Sequence, residues 1–173
     1  MRVSYGTYEA DLGAGESVPN LLRAIALSPE FAALQWPLRK ASAAGLDDRT
    51  AELVISAVAG QCRAGYVWGH HATRLAAFGI SAPLIRGVRD GDLDGLDAPD
   101  QILVRLARAV ESLTVTDELW AEACTFFASQ TVAQVVFLAS HYAMMCRIQS
   151  AFDVPLDPGS FGLQFPDSAY DAP

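Results

Sequence analysis

Apolar residues recur along most of the chain at the three- and four-residue spacing of an amphipathic α-helix. No stretch alternates between apolar and polar positions with the period of two that is typical of a β-strand. Helices are predicted over residues 20–27, 29–45, 47–61, 63–78, 81–88, 99–113 and 131–152, and one more begins after Thr116. The sequence therefore predicts an all-α fold.

Capping residues set the predicted starts of these helices. Ser28 precedes Pro29, which favours a helix start because the serine side chain caps the first turn and proline lacks only an unused N–H. Pro37 lies inside the same predicted helix and is expected to bend or split it. Asp47 and Asp48 place two carboxylates at the positive end of the next helix, which stabilises that end.

Length and composition favour one globular domain. The chain has 173 residues, of which 51% are hydrophobic and 18% are charged, and this balance supports a buried core and excludes intrinsic disorder. Residues 20–158 are predicted to form the helical domain. Residues 89–97 are rich in glycine and aspartate and are predicted to form a loop, and the tail, residues 159–173, is predicted to be an arm or disordered.

Charge and targeting signals narrow the possible partners and compartments. The net charge of −8 argues against nucleic acid as a partner, because phosphate binding needs clustered lysine and arginine. The start of the chain lacks a secretion signal, and the most apolar run, residues 132–146, is shorter than the roughly 20 residues of a bilayer span. Three widely spaced cysteines suit a reducing compartment. We therefore expect a cytoplasmic protein that binds neither nucleic acid nor membrane.

Most of the unusual chemistry lies in residues 49–71. Glu52 is the only carboxylate within residues 49–89, and its sequence neighbours are mainly apolar. A carboxyl group in apolar surroundings has a raised pKa and can pass a proton near neutral pH. We therefore expect a raised pKa for Glu52 and a part in proton transfer. The alternative is a surface carboxylate that pairs with Arg49 or Arg63.

Helical spacing relates the side chains that follow Glu52. Cys62, Tyr66 and His70 are four residues apart, so on one continuous helix they share a face. His71 lies about 100° from His70 around the helix axis, so the two imidazoles are not expected to enter one pocket. If this helix begins near Cys62, its positive end would stabilise a thiolate there.

Three separated segments resemble one family. The central segment contains Glu52 after an arginine, then aliphatic residues and Cys62, and then Tyr-x-Trp-x-His-His at residues 66–71. The opening segment, residues 20–30, and the closing segment, residues 140–158, are similar to the first and last helices of the same family. Over most of its length the chain therefore resembles the carboxymuconolactone decarboxylase-like branch of the alkyl hydroperoxidase D superfamily.

The resemblance implies an all-helical fold that assembles as trimers or hexamers, with pockets between the helices that carry the glutamate and the histidines. Gly65 and Gly69 agree with such an assembly, because their bare strip allows another backbone to approach closely. Redox members of the superfamily carry Cys-x-x-Cys followed by histidine. Counted from Glu52 or from the Tyr-x-Trp motif, this chain has no second cysteine there, so Cys62 is alone and disulfide reductase chemistry is not expected. Gly65 and Val67 also replace two glutamates that are common in the decarboxylase branch.

The leading hypothesis is a cofactor-independent enzyme that decarboxylates or isomerises a small organic acid, lactone or polyketide-like substrate. His70, with His71 as the alternative, would act as acid or base, Glu52 would lie within hydrogen-bonding reach of one of them, and Tyr66 would donate to a developing enolate oxygen. The candidate substrate-binding residues are Cys62, Trp68, His141 and Tyr142. No HExxH-type spacing occurs, and neither a metal nor another cofactor is expected.

Two other functions fit the same residues. Cys62 could act alone in a thiol peroxidase or reductase that uses an external thiol, or the chain could be an oligomeric binding protein without catalysis. Structural roles also stay open: Cys62 as a small buried side chain, Tyr66 and Trp68 as core aromatics, and one histidine as a packed or interface residue.

Overall fold

The computed structural model describes residues 1–6 and 18–157, and this part of the chain contains eight helices and no strand. In chain order the helices are α1 (Asn20–Ile25), α2 (Pro29–Ser42), α3 (Asp48–Gln61), α4 (Gly65–Ala77), α5 (Ala82–Asp90), α6 (Ala98–Ser112), α7 (Asp117–Phe126) and α8 (Ser129–Phe152). Each of them overlaps a helix that the sequence predicts, so the prediction of an all-α fold is confirmed.

Side-chain oxygens cap the first turns of α2, α3, α6 and α7. Ser28 Oγ accepts a hydrogen bond from the Phe31 amide at 3.4 Å, and Asp47 Oδ1 accepts one from the Thr50 amide at 2.8 Å. Pro37 does not split α2, which runs unbroken through it. Because Pro37 lies on the exposed side of the helix, water can satisfy the carbonyl group that loses its helical partner.

Helix α3 is the central helix of the domain. Residues 51–60 are all buried, and α3 packs against α4, α5, α6 and α8. An almost continuous apolar sequence is what a helix covered on every side requires. Glu52 is the one charged residue in this buried run. A buried charge is costly unless it is paired and hydrogen-bonded, so Glu52 requires partners inside the domain.

The corner between α3 and α4 differs from the prediction. The predicted helix start near Arg63 is replaced by a break, because Arg63 has a left-handed backbone with a φ of 52°. Helix α4 begins only at Gly65. Cys62 therefore caps the C-terminal end of α3, where the helix dipole is negative, and it does not share a continuous helix with Tyr66 and His70.

The predicted loop over residues 89–97 is shorter in the structure, because Arg89 and Asp90 complete α5. Gly91 then ends the helix in the left-handed conformation that glycine favours, with a φ of 84°. Among the described residues, no single helix is long and apolar enough to cross a membrane. Only α7 and α8 taken together, across a bend of 119°, reach that length and composition.

The segment after α8 turns back towards the start of the domain. Asp153 ends α8 with a left-handed φ of 54°, and residues 154–157 then run to the first turn of α1. Asp157 Oδ1 accepts a hydrogen bond from the Asn20 amide at 2.7 Å. The predicted tail, residues 159–173, lies outside the described residues.

Candidate functional site

A cavity of about 290 Å³ lies between α1, α2, α4 and α8. Its polar lining consists of Arg39, Arg74, His70, His71, His141, Tyr66, Tyr142 and Gln35. Its apolar lining consists of Pro19, Leu21, Leu22, Trp36, Val67 and Met145. No carboxylate of the described residues belongs to this wall, although the whole chain has 20 acidic and 12 basic residues. The wall itself therefore presents two guanidinium groups and no carboxylate to a bound molecule.

Behind this wall, Glu52 of α3 and His71 of α4 form a buried pair. His71 Nδ1 and Glu52 Oε2 are 2.5 Å apart, and Arg74 Nη1 donates a hydrogen bond to Glu52 Oε1 at 3.2 Å. Glu52 is 6% exposed and His71 is 8% exposed. The prediction that Glu52 contacts a histidine beside a cavity is confirmed, and that histidine is His71 and not His70.

The ionisation of this pair differs from the prediction. Burial raises the pKa of Glu52, but the hydrogen bonds and charges of His71 and Arg74 outweigh burial and leave the pKa below its ordinary value. The expected raised pKa is therefore wrong, because apolar sequence neighbours do not reveal the cations that the fold brings in. Burial also lowers the pKa of His71, against the opposing effect of Glu52. The pair consists of a carboxylate and a neutral imidazole, whose Nδ1–H donates to Glu52 and whose Nε2 carries the lone pair.

His70 has a different carboxylate partner. His70 Nε2 lies 3.0 Å from Asp157 Oδ2, and the Tyr66 hydroxyl donates a short hydrogen bond to the same oxygen. Burial raises the pKa of Tyr66, and the hydrogen bond to Asp157 raises it further, so the phenol stays protonated. The Tyr66 proton is engaged by Asp157, whereas the sequence-based hypothesis has it donated to a substrate oxygen.

Both histidines line the cavity, so the prediction that only one of them faces it is wrong. On helix α4, Tyr66 and His70 form one column of cavity-lining side chains, and Val67 and His71 form the neighbouring column. Within each column the two side chains are about one turn apart. These columns span about 100° of the helix surface, and the cavity faces the ridge between them. Neighbouring residues on one helix can therefore share a pocket that is wide enough to meet both columns.

Tyr142 and His141 of α8 also line the cavity, as the sequence predicts. Arg39 Nε donates a hydrogen bond to the Tyr142 hydroxyl at 2.8 Å, and the Tyr142 ring meets the His71 ring edge-on at a centroid distance of 5.0 Å. Burial raises the pKa of Tyr142, against the effect of Arg39. Burial, together with the charge of Arg39, lowers the pKa of His141 to about 4. Tyr142 is therefore a protonated phenol beside His71, and its own hydrogen has no acceptor among the residues that the structure describes.

Cys62 and Trp68 lie away from the cavity, which differs from their predicted role in substrate binding. The Cys62 thiol contacts that of Cys146 on α8, and this hydrogen bond and burial raise the pKa of the Cys146 thiol well above its ordinary value. Trp68 is 4% exposed, and the guanidinium carbon of Arg89 lies 6.0 Å from its ring centroid. Trp68 follows Tyr66 by two residues, about 200° around α4, so it faces the core instead of the cavity.

The fold adds three charged residues that sequence reasoning did not identify. Arg74 follows His71 by three residues on α4, so helical spacing could have found it. No local sequence pattern indicates that Arg39 and Asp157 belong to the site, because Arg39 reaches it from α2 and Asp157 from the segment after α8. In residues 1–6 and 18–157, no three His, Cys, Asp or Glu side chains form a group that could hold a metal ion.

Neither a protein-family model nor a curated protein matches the chain. Its structure is similar to a peroxidase-related protein of Ralstonia eutropha with an alkylhydroperoxidase AhpD core, at a TM-score of 0.74 and 14% sequence identity over 83% of this chain and 80% of that chain. A peroxidase-related protein of Silicibacter has a TM-score of 0.75 and 16% identity, over 84% and 80% of the two chains. A cysteine-to-alanine variant of the debrominase Bmp8, in complex with 2,3,4-tribromopyrrole, has a TM-score of 0.71 and 12% identity, over 83% and 80%.

Identities of 12–16% establish a shared fold and not a shared activity. The similarity extends over more than four fifths of this chain. The resemblance that the three sequence segments indicate is confirmed at this level. The chain shares the all-α fold of the alkylhydroperoxidase AhpD core.

Proposed function

We propose that the protein is a cofactor-independent enzyme that uses the Glu52–His71 pair to move a proton on a small organic acid or lactone. The observation that carries this proposal is the buried contact of 2.5 Å between His71 Nδ1 and Glu52 Oε2 beside the cavity. A carboxylate in this position holds the imidazole in one tautomer and stabilises the imidazolium that forms on protonation. Nε2 of His71 is then the general base.

Proton abstraction next to a carbonyl group is the step that these residues support best. The C–H bond of the substrate breaks, its proton moves to His71 Nε2, and the electron pair moves onto the carbonyl oxygen as an enolate. Tyr142 donates its hydroxyl proton in a hydrogen bond to that oxygen, and Arg39, which holds the Tyr142 hydroxyl at 2.8 Å, stabilises the negative charge. An N–H bond of an imidazolium in the site then breaks, and its proton forms a C–H bond at another carbon, which completes an isomerisation.

Decarboxylation would use the same enolate stabilisation. The C–C bond to the carboxylate breaks, carbon dioxide leaves, and the electron pair remains as an enolate until the carbon takes a proton from water. A substrate carboxylate is attracted to Arg39 and Arg74, the two guanidinium groups of the wall. The cavity of about 290 Å³ is near the lower end of small-molecule sites, roughly 300–1,000 Å³, which supports a monocyclic acid or lactone.

We also propose that this enzyme acts in the cytoplasm as a homo-oligomer, a trimer or a hexamer, without nucleic-acid or membrane partners. The net charge of −8 supports the absence of a nucleic-acid partner. Large apolar side chains that are exposed on the single chain support the oligomer, among them Leu34 of α2 at 64% and Phe137 of α8 at 59%.

Hydrogen exchange in D₂O tests the proposed proton transfer. Wild type is incubated with a panel of keto acids, unsaturated acids and enol lactones, and deuterium incorporation is measured by mass spectrometry. Glu52→Gln keeps the shape of the side chain and removes its charge, so exchange should fall by about 10²–10⁴-fold while the circular dichroism spectrum stays unchanged. Glu122→Gln is the matched control, since Glu122 pairs with Arg105 on the surface at 2.6 Å and should not affect exchange.

Three outcomes would redirect the assignment. Equal exchange by wild type and Glu52→Gln would remove the Glu52–His71 pair from the chemistry. Consumption of peroxide with an external thiol, lost in Cys62→Ser, would favour the thiol-dependent alternative, which has the contact between Cys62 and Cys146 as its structural support. Ligand binding without turnover of any panel member would favour a binding protein.

A further inference from the structure

A second carboxylate–histidine pair opens onto the same cavity as Glu52 and His71. His70 Nε2 lies 3.0 Å from Asp157 Oδ2, and Asp157 is 14% exposed. The other carboxylate oxygen, Oδ1, accepts a hydrogen bond from the Asn20 amide at 2.7 Å. The two oxygens of Asp157 therefore have different partners, and the backbone amide fixes which oxygen faces His70.

The hydrogen bonds around Asp157 settle which nitrogen of His70 carries the proton. The Tyr66 hydroxyl accepts a hydrogen bond from the Leu21 amide at 3.2 Å and donates its only proton to Asp157 Oδ2. As a carboxylate, Asp157 can only accept, so His70 Nε2 must be the donor in its contact with Oδ2. In the neutral imidazole, Nδ1 is then the nitrogen that is left for a ligand.

We infer that Asp157 is a positioning residue that makes His70 a second proton-transfer group, so that the site moves a proton between two carbon atoms of one substrate. The inference rests on the proposed function for the first half of the reaction. His71 Nε2 takes the proton from one carbon, and the electron pair spreads through the enolate to a second carbon. The Nδ1–H bond of the His70 imidazolium breaks, and a C–H bond forms at that second carbon. Proton exchange with solvent then restores both histidines.

The substrate class that fits this arrangement is an unsaturated acid or lactone in which a double bond shifts along the carbon chain. Such an isomerisation removes and adds one proton and needs no oxidant or reductant. Tyr66 supports the geometry of the second group, because its ring lies 4.9 Å from the His70 ring, centroid to centroid, and its hydroxyl shares the Asp157 oxygen. His70 and His71 are adjacent residues that both line the cavity, so one bound molecule can meet both.

Nitrogen-15 NMR of the histidine side chains tests the role of Asp157. In its neutral form, wild-type His70 should be held with Nε2 protonated and Nδ1 unprotonated. In Asp157→Asn the side-chain amide oxygen should accept the hydrogen bond from the backbone N–H of Asn20. The side-chain NH₂ group then faces His70. Nε2 of His70 must then accept, and its tautomer should reverse. The signals of His71 and His141 should not move.

Asp153→Asn is the matched control, because Asp153 lies in the same segment and has a backbone conformation that asparagine tolerates. Within the described residues, its ion pair is with the chain's amino group at 3.4 Å. Its spectrum should equal that of wild type. A wild-type His70 with mixed tautomers, or an unchanged His70 tautomer in Asp157→Asn, would overturn the inference, and the wild-type spectrum decides even if the variant does not fold. The NMR spectrum does not depend on turnover. If no compound of the substrate panel exchanged hydrogen for deuterium, that result would therefore count against the proposed function alone.

Discussion

At the scale of single residues, the partner of each histidine decides what that histidine can do. The contact between Glu52 and a histidine was predictable, because an isolated carboxylate precedes a histidine pair by one helix. The choice between His70 and His71 was not, because it depends on the rotation of α4 about its axis. That rotation is set by contacts of α4 with α3, α5 and α8. These tertiary contacts cannot be read from the sequence of α4.

His141 makes the fold sensitive to acid. Burial and Arg39 lower its pKa from 6.5 to about 4, so between these pH values the unfolded chain binds a proton that the folded chain excludes. The free energy of unfolding should therefore fall as the pH decreases from 6.5 to 4. At about 1.4 kcal/mol per pKa unit, His141 should contribute about 3 kcal/mol to this loss.

Urea unfolding across this pH range measures the contribution of His141. The variant His141→Gln keeps a polar side chain of similar length and removes the titrating group. Its free energy of unfolding should change with pH by about 3 kcal/mol less than that of wild type. The remaining slope belongs to other groups, including His71, whose pKa burial also lowers. An identical slope in the two proteins would contradict the assignment.

At the scale of helices, the sequence predicted where most elements start, because capping chemistry is local. Ser28, Asp47 and Thr116 each cap the helix that was predicted to follow. The corner between α3 and α4 was not predictable in this way, since Arg63 has no propensity for its left-handed φ of 52°. Two local backbone hydrogen bonds close the end of α3 in that conformation, from the Arg63 amide to the Gly60 carbonyl at 3.1 Å and from the Ala64 amide to the Ala59 carbonyl at 2.9 Å. This turn moves Cys62 from α4 to the end of α3.

The close approach of α3 and α5 depends on one glycine. A Cβ atom at Gly60 would lie 2.6 Å from the Arg89 carbonyl oxygen and 2.7 Å from its Cα, and backbone cannot move aside as a flexible side chain can. Gly60→Ala should therefore force the helices apart and lower the free energy of unfolding by about 1–3 kcal/mol. Chemical denaturation of the variant measures this loss.

Ser56→Ala is the control for Gly60→Ala. Ser56 lies one turn earlier on α3 and is fully buried, and its hydroxyl has no hydrogen-bond partner within residues 1–6 and 18–157. Removal of an unpaired buried hydroxyl should leave the stability unchanged or raise it slightly. If both variants lost the same stability, a general intolerance of α3 to substitution would replace the contact with α5 as the explanation.

At the scale of the whole molecule, the cavity joins residues that are far apart in sequence. Arg39, His71 and Tyr142 come from three different helices, and Asp157 reaches the site from the segment after α8. Periodicity identifies which side chains share a helix face, but it cannot show which helices meet. This is why His141 and Tyr142 could be expected at the site from an apolar helix with unusual polar groups, whereas Arg39 and Asp157 could not.

Assembly into an oligomer is also a property of the whole molecule. In the single chain, a Cβ atom at Gly69 would meet nothing within 4 Å, so the strip formed by Gly65 and Gly69 on α4 is not filled at that position by another part of the described chain. We expect a second copy to approach this strip, and wild type should sediment at about three or six times 18.5 kDa at micromolar concentration.

The variant Gly69→Ala tests whether this strip forms the contact between copies. Alanine favours a helix more than glycine by roughly 1 kcal/mol, so the fold of each chain should be retained or slightly stabilised. Within residues 1–6 and 18–157 the added methyl group would meet nothing within 4 Å, so we expect it to interfere with an approaching copy. Sedimentation equilibrium should therefore show weaker assembly for Gly69→Ala than for wild type. A wild-type protein that sediments as an 18.5 kDa monomer would refute the assembly, and an intact oligomer in Gly69→Ala would instead direct attention to the exposed Leu34 and Phe137 as the contact surface.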